Sequence, residues 1–79
     1  MRESEEARHV IRVTYKFDQI RTALRENGWF KARQAGSHEV YRHPTRSGIV
    51  VVAGGNAEPV APGTLSSILR QAGLKKEDL

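Results

Sequence analysis

Two helical stripes bracket the strand-forming part of this chain, and that order restricts the folds open to it. Phe17, Ile20, Ala23 and Leu24 recur at i, i+3, i+6 and i+7; Leu65, Ile68, Leu69 and Ala72 recur at i, i+3, i+4 and i+7. Either spacing gathers the apolar side chains on one side of a helix. The first helix is expected from Tyr15 to Asn27, with Thr14 as N-cap. Asn27-Gly28 is its stop, because glycine takes the left-handed conformation without a Cβ clash. The second helix opens at Pro62-Gly63-Thr64, where the N–H that proline lacks would be unpaired anyway. It closes at Gly73, with Leu74 as the apolar contact beyond. Lys75 to Leu79 is a polar tail long enough for one further helical turn.

Between the stripes lie three short segments separated by turn residues. Trp29 to Gln34 reads as a strand, Ala35-Gly36 as a turn, and Ser37 to His43 as a second strand. Pro44 cannot donate to a ladder and ends it, so Pro44 to Gly48 is a hairpin loop. Ile49 to Ala53 is a third strand, whose unbroken apolar run predicts burial on both faces or cover by a partner. Gly54 to Ala61 is a loop. Its Gly54-Gly55 pair lacks the strand–glycine–helix context and the lysine of a phosphate loop, and reads as a turn. Short loops imply an antiparallel meander. The expected architecture is α+β, a two-layer α-β-β-β-α domain with both helices on one face of a three-stranded antiparallel sheet. Val10 to Tyr15 is β-branched and reads as an additional short strand, while residues 1–9 are polar and alternately charged, as frayed termini are. The division is therefore an N-terminal extension over 1–14, partly disordered, and one domain over 15–79.

Composition narrows the function classes. A chain of 79 residues is one small domain that buries only roughly 60% of its extended surface. It has no cysteine, hence neither a disulfide nor a thiolate metal ligand. The start, Met1-Arg2-Glu3-Ser4-Glu5-Glu6, is charged and no apolar region follows it, so no signal peptide is read. The longest apolar run, Ile49 to Ala53, is far short of the ~20 residues a membrane span needs. A soluble, cytoplasmic protein is expected. The formal charge is +4. From Trp29 to Arg46 the single acid Glu39 faces Lys31, Arg33, Arg42 and Arg46, a local balance of +3. Such an excess suits a phosphate backbone.

Within that basic region, Gly36-Ser37-His38-Glu39-Val40-Tyr41-Arg42-His43 holds two of the three histidines. Strand alternation places His38, Val40 and Arg42 on one face and Glu39, Tyr41 and His43 on the other. Val40 wants the core, which would draw His38 inward. Two arrangements avoid that. Either His38 stands at the start of its strand, where Gly36 frees its direction, or the Val40 face is the one opposite the helices. Tyr41 packs or stacks a base, and His43, before Pro44, is a surface residue with at most a minor contact role. Trp29 reads as core. Three scattered histidines without a carboxylate cluster make no metal site, and no motif calls for a small-molecule cofactor.

Leu24-Arg25-Glu26-Asn27-Gly28-Trp29, Gly36-Ser37-His38, Pro62-Gly63-Thr64-Leu65 and Ile68-Leu69-Arg70-Gln71-Ala72-Gly73-Leu74 stand in the order, and at about the spacing, of the HicA toxins. The chain resembles that family over roughly residues 16 to 79. The resemblance implies a double-stranded-RNA-binding-like fold, the toxin role in a toxin–antitoxin pair, a HicB-like antitoxin as partner and mRNA as substrate. It also implies that His38, in the Gly-Ser-His element, is catalytic. Many members carry a Pro-x-His element after the third strand; here that region reads Val51-Val52-Ala53-Gly54-Gly55-Asn56.

The chemistry expected is metal-independent RNA cleavage. RNA supplies its own nucleophile, the 2′-hydroxyl. The enzyme adds a base, an acid for the leaving oxygen, and cations for the phosphorane charge. Histidine, with a reference pKa of ~6.5, suits either proton role. His38 is the expected acid or base. Lys31, Arg33, Arg42 and Arg46 are expected on phosphates, Ser37 beside the imidazole or the scissile phosphate, and Gly36, Tyr41 and His43 in minor roles. The competing readings are a non-catalytic double-stranded-RNA-binding module and a protein-interaction domain. The former binds through lysines at a helix start, and Pro62-Gly63-Thr64 offers none.

Overall fold

The computed structural model describes residues 14–79. The expected strand over Val10 to Tyr15 and the frayed start fall mainly outside these residues; Thr14 and Tyr15 themselves belong to no helix or strand. The element order is α1 (Phe17–Glu26), β1 (Phe30–Ala35), β2 (His38–Arg42), β3 (Val50–Val52) and α2 (Pro62–Ala72), followed by a 3-10 turn (Lys76–Asp78). The strands form one antiparallel sheet in the order β1-β2-β3. Both helices and one face of this sheet contribute to a single core of Phe17, Ile20, Leu24, Trp29, Tyr41, Val50, Val52, Val60, Leu65, Ile68, Leu69 and Ala72. Among the described residues no helix is long and apolar enough to cross a membrane.

α1 starts later than expected, and not at Thr14. Its N-cap is Lys16, whose N–H donates to Gln19 Oε1 at 2.8 Å. The next two N–H groups, of Phe17 and Asp18, donate to the carbonyls of Glu58 and Asn56, both at 3.1 Å. A distant loop thus satisfies donors that a helix start leaves open. The C-terminal stop follows the expected chemistry. Gly28 sits at φ 93°, its N–H donates to Arg25 O, and Trp29 N–H reaches back to Leu24 O at 2.9 Å. That is the paired closure of a Schellman turn. Gly73 ends α2 in the same way, at φ 71°, with Leu74 N–H on Leu69 O.

The β1–β2 hairpin turns on two residues, Gly36-Ser37, because Ala35 pairs with His38. Gly36 at φ 60° occupies the first central position, where a tight hairpin of the II′ kind needs positive φ. Further along, Gln34 faces Glu39, Arg33 faces Val40, Lys31 faces Tyr41 and Phe30 faces Arg42. The step between Arg33 and Lys31 contains a bulge, so Ala32 has no partner of its own. On the other side of β2, Val52, Val51 and Val50 face Glu39, Val40 and Tyr41.

This register sorts the side chains. The helix-facing side holds Lys31, Gln34, Glu39, Tyr41, Val50 and Val52; the open side holds Phe30, Arg33, Ala35, His38, Val40, Arg42 and Val51. Of the two expected arrangements for β3, burial on both faces does not hold among the described residues, and cover of one face by a partner is left open. Val50 and Val52 are fully buried, but Val51 is 39% exposed and Ile49, ahead of the strand, is 40% exposed. A third strand of three residues at a sheet edge buries only its helix-facing side.

Candidate functional site

His38 is the first residue of β2 and lies on the open side, exposed to solvent. Both arrangements that sequence alternation left open hold together: the histidine stands at the strand's start, and the Val40 face is turned away from the helices. Arg33, paired with Val40, is the diagonal neighbour of His38 on one rung and of Arg42 on the next. Such diagonals are about 7–8 Å between Cα atoms, within reach of long side chains. Arg33 and Arg42 are exposed. Gly36 and Ser37 form the turn that sets the direction of His38. The open side of the sheet contains no carboxylate among the described residues.

Two expected phosphate ligands stand elsewhere. Lys31 projects on the helix-facing side, where its Nζ is 3.0 Å from Gln34 Oε1 and 4.0 Å from Glu39 Oε2. Strict alternation would put Lys31 and Arg33 together; the unpaired Ala32 between them puts them apart. Arg46, in the β2–β3 loop, lies with its guanidinium against Gly73 at the C-terminus of α2. There it meets the negative end of the helix dipole. It is not gathered with His38.

Tyr41 and His43 are structural. Tyr41 is 4% exposed, and its hydroxyl donates to Glu39 Oε1 at 2.9 Å. His43 is half-buried beside Trp29, edge-on with ring centroids 5.2 Å apart. Thr45 N–H donates to its Nδ1 at 3.1 Å, so its Nε2, 2.9 Å from Asn27 O, is the protonated nitrogen that donates there. It ties the β2–β3 loop to the end of α1. A Cβ at Gly28 would fall 2.6 Å from that Nε2, so the approach requires glycine.

Glu39, opposite in direction to His38, is the hub of a polar network that the sequence did not reveal. Arg21 Nε donates to its Oε1 at 3.0 Å, and the two side chains are 12% and 14% exposed. The same guanidinium donates to Asn56 Oδ1 at 2.8 Å and to the carbonyl of Gly54. Burial works against the charged form of Glu39. The Arg21 and Tyr41 hydrogen bonds and the charges of Arg21 and Lys31 outweigh it, holding the carboxyl below its ordinary range. Burial, then the Glu39 contact, pushes Tyr41 up. This network joins α1, β2 and the 54–56 loop. A polar cleft of about 520 Å³ opens beside it, between that loop and the hairpin, with Ser37, Gln34 and Glu58 in its walls. Among the described residues no three histidine or acidic side chains converge as a metal site would require.

A family model described as HicA toxin of bacterial toxin-antitoxin matches residues 17–74, well over half of the chain. The chain belongs to the HicA toxin family. It is the toxin of a toxin–antitoxin system, and a cognate antitoxin is its implied partner. No curated protein matches it. The matched span runs from the first residue of α1 to the residue after Gly73, so every helix and strand named here except the final 3-10 turn lies within the HicA match. Where many HicA toxins carry Pro-x-His, this chain has the 54–56 loop, held by Arg21 and capping α1.

Proposed function

We propose that this HicA chain is a metal-independent endoribonuclease acting on mRNA, with His38 as its general acid or base. One observation supports the reading above the others: His38 is exposed at a hairpin tip, on a sheet face that presents Arg33 and Arg42 and no acid. In the reaction, His38 takes the proton of a ribose 2′-hydroxyl or delivers one to the departing 5′-oxygen, and solvent water exchanges the proton at the other oxygen. The 2′-oxygen bonds to phosphorus as the P–O5′ bond breaks. Arg33 and Arg42 hold the phosphate oxygens while charge accumulates on them. Ser37, next in the turn, orients the imidazole or the phosphate. Lys31 and Arg46 are excluded from this role by their positions.

The test is RNA incubated with the pure protein in EDTA. The parent cleaves; His38→Ala loses about 10²–10⁴-fold, the contribution of one positioned acid–base group. Full cleavage by His38→Ala refutes the assignment. RNA binding with no cleavage by the parent would instead mark a non-catalytic RNA-binding module.

A further inference from the structure

We infer that Phe30 is a stacking platform for an unpaired RNA base, placed so that the adjoining phosphates run along Arg42 and Arg33 to His38. This rests on the ribonuclease reading and deepens it by adding a binding subsite and by naming single-stranded RNA as the form recognised.

Phe30 is 49% exposed, more than any other large apolar side chain among the described residues. The remaining large aromatics on and around the sheet, Phe17, Trp29 and Tyr41, are all buried in the core. Phe30 is left out by register. It pairs with Arg42, and it also borders an open cleft of about 480 Å³ whose walls include Arg21 and Arg25 of α1. The pairing makes its side chain the cross-strand neighbour of Arg42. The other exposed large apolar side chains among the described residues are Ile49 and Val51, which belong to the far outer strand and the residue ahead of it; Val51 has Val40 and Arg33 in its row. Arg42 stands between the aromatic and those apolar residues, and the cations nearest Phe30 in the register are Arg42 and Arg33, which favours a polyanion there. An exposed ring with arginines beside it is the arrangement on which unpaired bases stack, with little dependence on sequence.

The bulge makes this grouping possible. Phe30 and Arg33 are three residues apart, a spacing that puts side chains on opposite sides of a regular strand. With Ala32 unpaired, both project on the His38 side. Phe30 and Arg42 stand at the opposite end of β2 from His38, about 13 Å along the strand at 3.3 Å per residue. The base on Phe30 is consequently one close to, but not at, the scissile phosphate. Double-stranded RNA keeps its bases stacked on one another and cannot offer one to the ring.

The experiment uses the whole protein and a fluorescent single-stranded oligoribonucleotide. A 2′-O-methyl version, which lacks the nucleophile, reports Kd; the unmodified version reports KM and kcat. Phe30→Leu keeps an apolar side chain and removes the π-face. It should raise Kd and KM about 5- to 50-fold, with a smaller effect on kcat, and Phe30→Trp should restore both. Removing the base at one position near the cleavage site should weaken the parent and leave Phe30→Leu unchanged. Unaltered Kd and KM in Phe30→Leu overturn the inference. So does a loss that follows a drop in Tm and that Phe30→Trp fails to repair, or a variant that binds RNA normally but no longer binds its antitoxin. The two readings fail separately. A parent whose cleavage depends on His38 but not on Phe30 keeps the nuclease assignment and loses the stacking subsite. A parent that binds RNA through Phe30 without cleaving it keeps the subsite and loses the nuclease.

Discussion

Replacing Glu39 with glutamine separates the charge at the centre of the polar network from its shape. The carboxylate accepts two hydrogen bonds on one oxygen, from Arg21 Nε at 3.0 Å and from the Tyr41 hydroxyl at 2.9 Å. Bonds to a charged group contribute about 1.5–3 kcal/mol and neutral ones about 0.5–1.5 kcal/mol. Glutamine can keep both contacts but with a neutral acceptor, so the loss is about 1 kcal/mol per bond, or about 2 kcal/mol at pH 7. Lys31 adds little, since its ammonium is 4.0 Å away and 45% exposed. In a domain of this size about 2 kcal/mol lowers Tm by roughly 8–16 °C. The pH dependence is the sharper part. The carboxyl of Glu39 is held below its ordinary value of 4.5. Its contribution is therefore complete above that value and disappears as the pH falls through the lower folded-state value. Once protonated, Glu39 resembles glutamine, and the two proteins should converge in stability. Urea unfolding of parent and Glu39→Gln from pH 7 down to acid checks this, together with Arg21→Met, in whose background the glutamine should cost much less. A Glu39→Gln difference under about 0.5 kcal/mol at pH 7, or one that stays constant into acid, would refute the reasoning.

Two further substitutions divide binding from scaffolding. Arg33→Ala and Arg42→Ala should each raise KM for RNA and flatten its salt dependence by about 0.7 in the logarithmic slope per lost phosphate contact with a single strand; KM measured from low to moderate salt reads it. His43→Ala should leave cleavage nearly intact but cost about 2 kcal/mol, from two neutral hydrogen bonds and the edge-on contact with Trp29. Denaturation, and faster hydrogen exchange at the Thr45 amide, report that loss. The contrast with His38→Ala, inactive yet stable, assigns the two histidines to different jobs.

The helices were legible because their signals are local. The stripes ending at Leu24 and Ala72 need only periodicity, and Gly28 and Gly73 need only the absence of a Cβ. The start of α1 was not legible, since its first donors are satisfied by Asn56 and Glu58 from the far side of the chain. Five apolar residues from Ile49 to Ala53 suggested burial on both faces or cover by a partner; β3 ends the sheet and leaves Val51 in the open, which fits only the second. A basic run around a histidine is visible in sequence, and alternation along β2 already put His38 and Arg42 on one side of the sheet. Lys31 and Arg46 were misplaced because neither a bulge nor a loop that folds back onto α2 leaves a mark in composition. Arg21 carries no sequence signal of its own, and Phe30 is simply one residue of the expected strand from Trp29 to Gln34. Nothing local distinguishes the buried aromatic from the exposed one; register does.

Among the described residues the sheet has two rims, and neither invites another strand. β1 runs along one of them with unpaired Ala32 interrupting its row of outward amide and carbonyl groups, and with Lys31 and Arg33 on either side. The other rim, β3, is three residues long. A break in the ladder, charges next to it and sheer shortness are each obstacles to edge-to-edge growth. Among the described residues, a second copy of this chain would find few consecutive groups to zip onto at either rim.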